Sequence, residues 1–297
     1  MKENLPNFLI VGAAKSGTSS LHNYLNQHPE IFMPSYKDGV NVKEPQFLIK
    51  NKVKDRLHFG IWGWQEYKAL FDDATKFKAI GESSVFYLYY YKEAIKNIKF
   101  RLGDNVKIII LLRNPIDRAY SAFQHVSRGL KENLSFEEAL QIEENRLNKE
   151  PFLTPMVMYK DMGLYYNMVK AYSESFKNVH IILYEDFVNR TDNVLKEVFK
   201  FLDVDTRILV DSSKKYNVGG KRWKSNWLKN IFQKDNFIKK LVPKNIRSRV
   251  REKLVNLSTN KVAPMNKHTK ESLKIFFKED ISNLSKLLGE DLNSWIR

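Results

Sequence analysis

Phe8-Leu-Ile-Val-Gly-Ala-Ala-Lys-Ser-Gly-Thr-Ser-Ser-Leu21 is the stretch on which the fold turns. Phe8 to Val11 is apolar and partly β-branched, too short for a helix and suited to a buried strand. Gly12 interrupts it, and Ser19 to Gln27 then predicts a helix, with Leu21, Tyr24 and Leu25 at helical spacing. Strand, glycine-containing loop and helix in that order let backbone N–H groups at a helix N-terminus collect a phosphate. Gly12 and Gly17 have the spacing of a nucleotide P-loop, but Thr18-Ser19 follows where Lys-Ser/Thr is needed, and the lysine sits inside the loop as Lys15. An NTPase uses its lysine on the β/γ-phosphates and its Ser/Thr on magnesium, so this loop should serve a different ligand. A glycine turn with no ligand is the plain alternative; strand, glycines, lysine, hydroxyls and helix agree against it.

The second anchor is Val106-Lys-Ile-Ile-Ile-Leu-Leu-Arg113, an apolar run typical of a strand buried on both faces of a parallel sheet. Asn114-Pro115 ends it and opens a helix that carries Asp117, Arg118 and Ser121 on its first turns. Arg113 at a strand's carboxyl end and Ser121 two turns on can converge on one anion; a local Arg113–Asp117 ion pair is the alternative. Further strands are expected at Lys78–Ser84 and Val179–Tyr184, and further helices after Ser135, after Gly163 and over Asn193–Leu202. Tyr216–Arg222 predicts a loop. Strands alternating with helices predict a single α/β domain over residues 1–297, a P-loop-like three-layer fold with a central parallel β-sheet flanked by helices.

Between these anchors, Pro45 pushes Glu44 into an extended conformation. Glu44 is either a solvated loop charge or a general base that takes a proton from an acceptor hydroxyl or amine. Trp62, Trp64, Tyr67 and Phe71 are core aromatics or, for a sugar or ring-shaped acceptor, contact residues, and Trp62 is the candidate chosen for that contact.

Bulk properties narrow the class. At 297 residues, with 43% hydrophobic and 13% aromatic content, the chain supports a packed core. The absence of cysteine excludes disulfides, thiolate catalysis and zinc–thiolate sites, and suits a reducing cytoplasm, which is the expected location. The N-terminal apolar run is broken by Lys15 and is a poor signal peptide. No run approaches the ~18 apolar residues of a membrane span. The formal charge is +16, and residues 221–253 hold twelve Lys and Arg against two Asp and Glu. Charge alone admits nucleic acid, anionic glycans, acidic lipid or a phosphorylated nucleotide as partners.

Gly12-Ala-Ala-Lys-Ser-Gly-Thr-Ser19, with Leu21, Leu25 and His28-Pro29, resembles the 5′-phosphosulfate loop of sulfotransferases, which use 3′-phosphoadenosine 5′-phosphosulfate (PAPS) as donor and release PAP. Arg113-Asn-Pro-Ile-Asp-Arg-Ala-Tyr-Ser121 is similar to the family's L-R-N-P-x-x-R-x-x-S motif, and Lys43-Glu-Pro-Gln-Phe47 looks like the K-E-P-x-F/Y segment of its carbohydrate-type members. Gly81-Glu-Ser-Ser84 is similar to its G-E-x-S-P segment, with Val85 where proline is usual. Gly289-Glu-Asp-Leu-Asn-Ser-Trp295 resembles its G-x-D-L-x-x-W ending.

The resemblance implies that Lys15 touches the bridging oxygen and 5′-phosphate. Loop residues Ala14, Ser16 and Gly17, with the Thr18 and Ser19 hydroxyls, would hold phosphate oxygens. It further implies that Arg113 and Ser121 bind the 3′-phosphate, that Tyr184 meets adenine, and that Gly220, Lys221 and Arg222 close a loop over the nucleotide. Glu44 becomes the base, with Lys43 beside it near the sulfonate. Cytosolic steroid and phenol sulfotransferases carry a catalytic histidine in the region where this chain has none between His58 and His125, which directs the base assignment to Glu44.

The implied reaction moves a sulfuryl group from PAPS to a hydroxyl or amine, with a carbohydrate acceptor favoured over a sterol, phenol or lipid. The sequence shows no metal-ligand cluster, and the implied chemistry does not require one. A small-molecule kinase and a non-enzymatic polyanion-binding module are the rivals. The first lacks a Walker lysine, and the second leaves both phosphate motifs unexplained, so no specific nucleic-acid partner is expected. Residues 223–258, with Trp223, Trp227 and Ile231 at four-residue steps among lysines, predict a basic amphipathic helical insertion. It is a helix packed on the body, a wall of the acceptor cleft, or a peripheral membrane contact.

Overall fold

The computed structural model describes residues 4–37, 40–128, 132–214, 216, 221–223, 259–261 and 263–297; at 36, 37, 40, 221–223 and 259–261 the description is of the backbone. Strands β1 (Phe8–Gly12), β2 (Ile31–Phe32), β5 (Ala79–Ser83), β6 (Lys107–Leu112) and β7 (Val179–Leu183) form one sheet, ordered β2-β5-β1-β6-β7 and parallel throughout. Tyr36–Lys37 (β3) and Val40–Asn41 (β4) make a short hairpin.

The two apolar strands read from the sequence lie side by side in the middle, Phe8 opposite Lys107 and Ile10 opposite Ile109. Burial on both faces explains their unbroken hydrophobicity. Side chains alternate between two cores with the period of a strand. Leu9, Val11, Ile108, Ile110 and Leu112 enter the larger one, covered by helices Tyr91–Leu102, Pro115–Arg128, Tyr165–Ser175 and Lys267–Leu288. Phe8, Ile10, Ile109 and Leu111 enter the other, covered by helices Thr18–Leu25 and Thr191–Phe201. The expected three-layer α/β fold is present.

Local signals held where they were strongest. Ser135 caps its helix, its hydroxyl accepting from the Glu138 N–H at 3.3 Å while the Glu138 carboxylate accepts from the Ser135 N–H at 2.8 Å. Two boundaries differ. Tyr184 is the first residue of helix Tyr184–Asn189 rather than the last of a strand. The end of the expected 216–222 loop is a strand, β8 (Lys221–Trp223), paired antiparallel with β9 (Thr259–Lys261). A three-residue strand whose partner lies that far along the chain leaves little local signal. The basic segment anticipated at 223–258 lies outside the described residues apart from Trp223. Among the described residues, no helix is long and apolar enough to cross a membrane.

Candidate functional site

The parallel sheet brings the carboxyl ends of β1, β5 and β6 to one edge, where ligands of open α/β sheets gather. The loop after β1 is shaped by Gly12 and Gly17. A Cβ on Gly12, at φ +152°, would lie 2.7 Å from Leu88 Cβ, and Gly17 holds φ +93° as the cap of the first helix. Lys15 is also left-handed, at φ 72°. That helix has no side-chain cap and no acidic residue in its first turn, so its positive end is left for an anion. Ser16 is fully buried, with its hydroxyl beside the Tyr165 phenol.

Lys15 sits in a crowd of cations. Burial first, then the charges of Arg128, Arg113 and Arg118, lower its ammonium from 10.5 to about 8, with Glu44 opposing. Arg113 donates from Nη1 to the Lys15 carbonyl at 3.3 Å, and its guanidinium lies 4.7 Å from the Tyr184 ring centre. These contacts replace the Arg113–Asp117 ion pair weighed from the sequence. Tyr184 in turn borders Gly17, one ring atom lying 3.4 Å from where a Cβ would stand.

Arg118 is fully buried, donating to the Tyr159 carbonyl, with Nε unpaired; burial lowers its pKa. Half-buried Ser121 shares a helical face with His125 and Arg128, neither of them anticipated. The cleft walls, then Lys15 and Arg128, depress His125 to about 4, although its side chain is exposed by surface area. Arg128 Nε is buried and unpaired. The spacing 121, 125 and 128 was legible as one face, but only the fold turns that face toward Lys15.

Glu44 also belongs to this site, since its charge acts on both Lys15 and His125. One of its oxygens accepts from Lys43 Nζ at 2.8 Å and the other from Gln46 Nε2 at 3.2 Å. Lys43 is thereby engaged by Glu44. The Ile61 N–H donates to the Pro45 carbonyl at 2.8 Å, which sets Trp62 beside the Glu44 turn, half-buried against the core. A cavity of about 440 Å³ is lined by Pro34, Ser35, Val42, Asp72 and Asp73 among others, and none of Lys43, Glu44 or Trp62 lines it. Ser35 is held by the buried His22, whose two ring nitrogens meet Ser83 Oγ at 3.1 Å and Ser35 Oγ at 3.0 Å.

Beneath the turn lies Glu82, a carboxyl quoted within the Gly81–Ser84 segment but given no role there. It accepts from Tyr67 and Ser84 hydroxyls, each at 2.6 Å. Complete burial raises it from 4.5 to about 7, against those hydrogen bonds. The folded chain therefore keeps a proton that the unfolded chain loses above 4.5, so stability falls as pH rises through this window. The loss from this group is at most about 3 kcal/mol. Thermal unfolding of Glu82→Gln between pH 5 and pH 7.5 is expected to show a flatter pH dependence than wild type; parallel curves would remove Glu82 as the source.

Lys221 and Arg222 lie in β8, whose backbone runs beside helix Pro115–Arg128. Gly220 lies outside the described residues. Residues 212–216 cross the first helix: the Tyr24 hydroxyl shares its one proton between the Ser212 and Lys214 carbonyls, at 3.0 and 3.1 Å, and the Tyr216 N–H donates to Ser20 Oγ at 3.2 Å.

Comparison with known proteins gives a consistent result. The sulfotransferase domain matches residues 5–274. The crystal structure of a sulfotransferase from Alicyclobacillus acidocaldarius is similar with a TM-score of 0.74 and 31% identity, covering 99% of each chain. Membrane-associated sulfotransferase kil1 of Dictyostelium discoideum is 30% identical over 131 residues, 44% of this chain and 25% of its own length. The bifunctional heparan sulfate N-deacetylase/N-sulfotransferase 3 of Mus musculus is 27% identical over 312 residues, 99% of this chain and 31% of its own length. The chain thus spans less than a third of these two curated relatives.

Proposed function

The chain belongs to the sulfotransferase domain family, and from that premise we propose that it transfers a sulfuryl group from PAPS to a hydroxyl or amine of a carbohydrate. One observation carries the reading: a glycine-shaped loop, Lys15, Arg113 and the carboxylate of Glu44 meet at one edge of the sheet. The unpaired Arg128 Nε fits a phosphate-rich nucleotide, because it is a buried donor awaiting an acceptor. PAPS supplies the sulfuryl group.

The loop amides, Ser16, Thr18 and Ser19 hold the 5′ end. Arg113 and Ser121 hold the 3′-phosphate, with Tyr184 against the base, and Lys221 and Arg222 add cations from β8. Glu44 takes the acceptor's proton onto a carboxylate oxygen. The Lys15 ammonium faces the oxygen on which charge grows as the leaving phosphate departs. Lys43 pairs with the base through its ammonium, and Trp62 stands on the acceptor side. The heparan-sulfate activity named for one relative supports a sugar acceptor, and the lack of cysteine supports a reducing, cytoplasmic setting. Contact of residues 223–258 with a membrane surface is a further part of this reading, supported by their charge.

Calorimetric titration with PAP, with ATP plus magnesium and adenosine 5′-phosphate as controls, tests the donor site. PAP is expected to bind alone or at least ~100-fold more tightly, as loss of several charge-assisted contacts implies. Preference for ATP overturns the reading. Transfer of labelled sulfate to N-desulfated heparan sulfate tests the acceptor class.

Arg113→Ala is expected to weaken PAP by roughly 10- to 100-fold while adenosine 5′-phosphosulfate, which lacks the 3′-phosphate, loses less than about threefold. Equal losses would assign Arg113 to the loop end instead.

A further inference from the structure

Gln46 is 2% exposed and, although not glycine, has a left-handed backbone at φ 56° and ψ 15°. Its side-chain Nε2 donates to Glu44 at 3.2 Å. A carboxylate oxygen can only accept, so the amide must present its NH₂ to Glu44 and turn Oε1 away. Oε1 is then buried without a partner. A leucine or methionine would fill this place with no unpaired atom, so the polar side chain and the uncommon backbone both ask for a reason.

The turn is also pinned from below. The Gln46 N–H donates to Ser84 Oγ at 3.0 Å, Ser84 donates to Glu82 at 2.6 Å, and Tyr67 donates to the other Glu82 oxygen at 2.6 Å. The Tyr67 ring stacks on Phe47, the residue after Gln46, with centroids 4.7 Å apart. Every member of this chain is buried. On the other side Glu44 accepts from the Lys43 ammonium, a point charge on a flexible stem that sets no carboxylate plane.

We infer that Gln46 is a positioning residue that aims the Glu44 carboxylate, and that the buried series Tyr67–Glu82–Ser84 holds Gln46 in the conformation this requires. The inference rests on Glu44 being the base.

Its test follows PAP released from PAPS, with N-desulfated heparan sulfate as acceptor and with water alone. Gln46→Met keeps the volume and removes the donor. It should lower kcat roughly 10- to 100-fold, the range for losing a hydrogen bond to a charged group, with KM for PAPS and affinity for PAP within about twofold of wild type. Gln46→Glu is the isosteric second variant. Its introduced carboxyl donates only when protonated, so the ratio of variant to wild-type kcat should fall as pH rises, whereas a general loss of structure would leave that ratio flat. Wild-type kcat in Gln46→Met, or a flat ratio in Gln46→Glu, overturns the positioning role. Glu44→Gln measured in parallel separates the two levels. If it turns over normally, the base assignment has failed; if it is inactive while Gln46→Met is normal, only the positioning role has.

Discussion

Glu44→Gln is expected to lower kcat by about 10³-fold, the middle of the range for a lost general base, while binding PAP within about twofold of wild type. The substitution changes one oxygen to an amide nitrogen and leaves the volume in place. An amide cannot take the proton that the acceptor must lose as its oxygen or nitrogen attacks sulfur. The neighbours argue for a clean effect. Lys43 and Gln46 each donate to a separate oxygen of Glu44, so the new amide keeps one of these bonds through its remaining oxygen and loses the other, while the backbone bond from the Ile61 N–H to Pro45 still holds the turn. The measurement is a pair of numbers from one preparation, kcat with N-desulfated heparan sulfate and the Kd for PAP. Loss of both together would indicate a collapsed turn, and retention of both would free Glu44 of any proton-transfer role.

Lys15→Met should cost a comparable factor, about 10² to 10³ in kcat, because a positioned cation meets charge that develops only as the leaving phosphate departs. Its signature in pH is more specific. In the free protein Lys15 is lowered from 10.5 to about 8, so near pH 8 the site is a mixture of ammonium and amine. A phosphate arriving there favours the ammonium, so PAP binding should take up a proton around pH 8. Its affinity should decline as pH rises beyond that value. Calorimetry in buffers of different ionisation enthalpy reads the uptake directly, and Lys15→Met should abolish it. Stability of the free protein carries the opposite sign. Between 8 and 10.5 the unfolded chain holds a proton that the folded chain has released, so folding gains as pH rises there. Proton uptake that persists in Lys15→Met would move the titrating group elsewhere in the site.

The parts of this site legible in the sequence are those written over a few consecutive residues. Phe8–Val11 and Ile108–Leu112 announce themselves because strand segments buried on both faces have no polar positions. The loop after β1 is legible because its glycines are required by backbone geometry. What stayed hidden depends on distant pairs. Glu44 and Lys15 are separated by three short strands and a helix, and only the sheet edge unites them. His125 and Arg128 continue the face of Ser121, a pattern that gains meaning once Lys15 is known to lie opposite. Glu82 reads as one more polar residue at the end of a strand, and its burial against Tyr67 and Ser84 is a property of the packed core. Tyr184 was displaced by one residue because a strand end and a helix start share the same side chains.

The pairing of Trp223 with Thr259 has a consequence beyond topology. The 35 residues between them have their two ends fixed one strand spacing apart, about 5 Å. Closing such a span costs only about 0.6 kcal/mol more for each doubling of its length. Its length and content are therefore nearly decoupled from the sheet that carries the loop after β1. Ten Lys and Arg against two Asp and Glu occupy it in this chain. Another sequence could exchange that charge for something else and keep the same core, so partner preference can drift here while the donor chemistry stays constant.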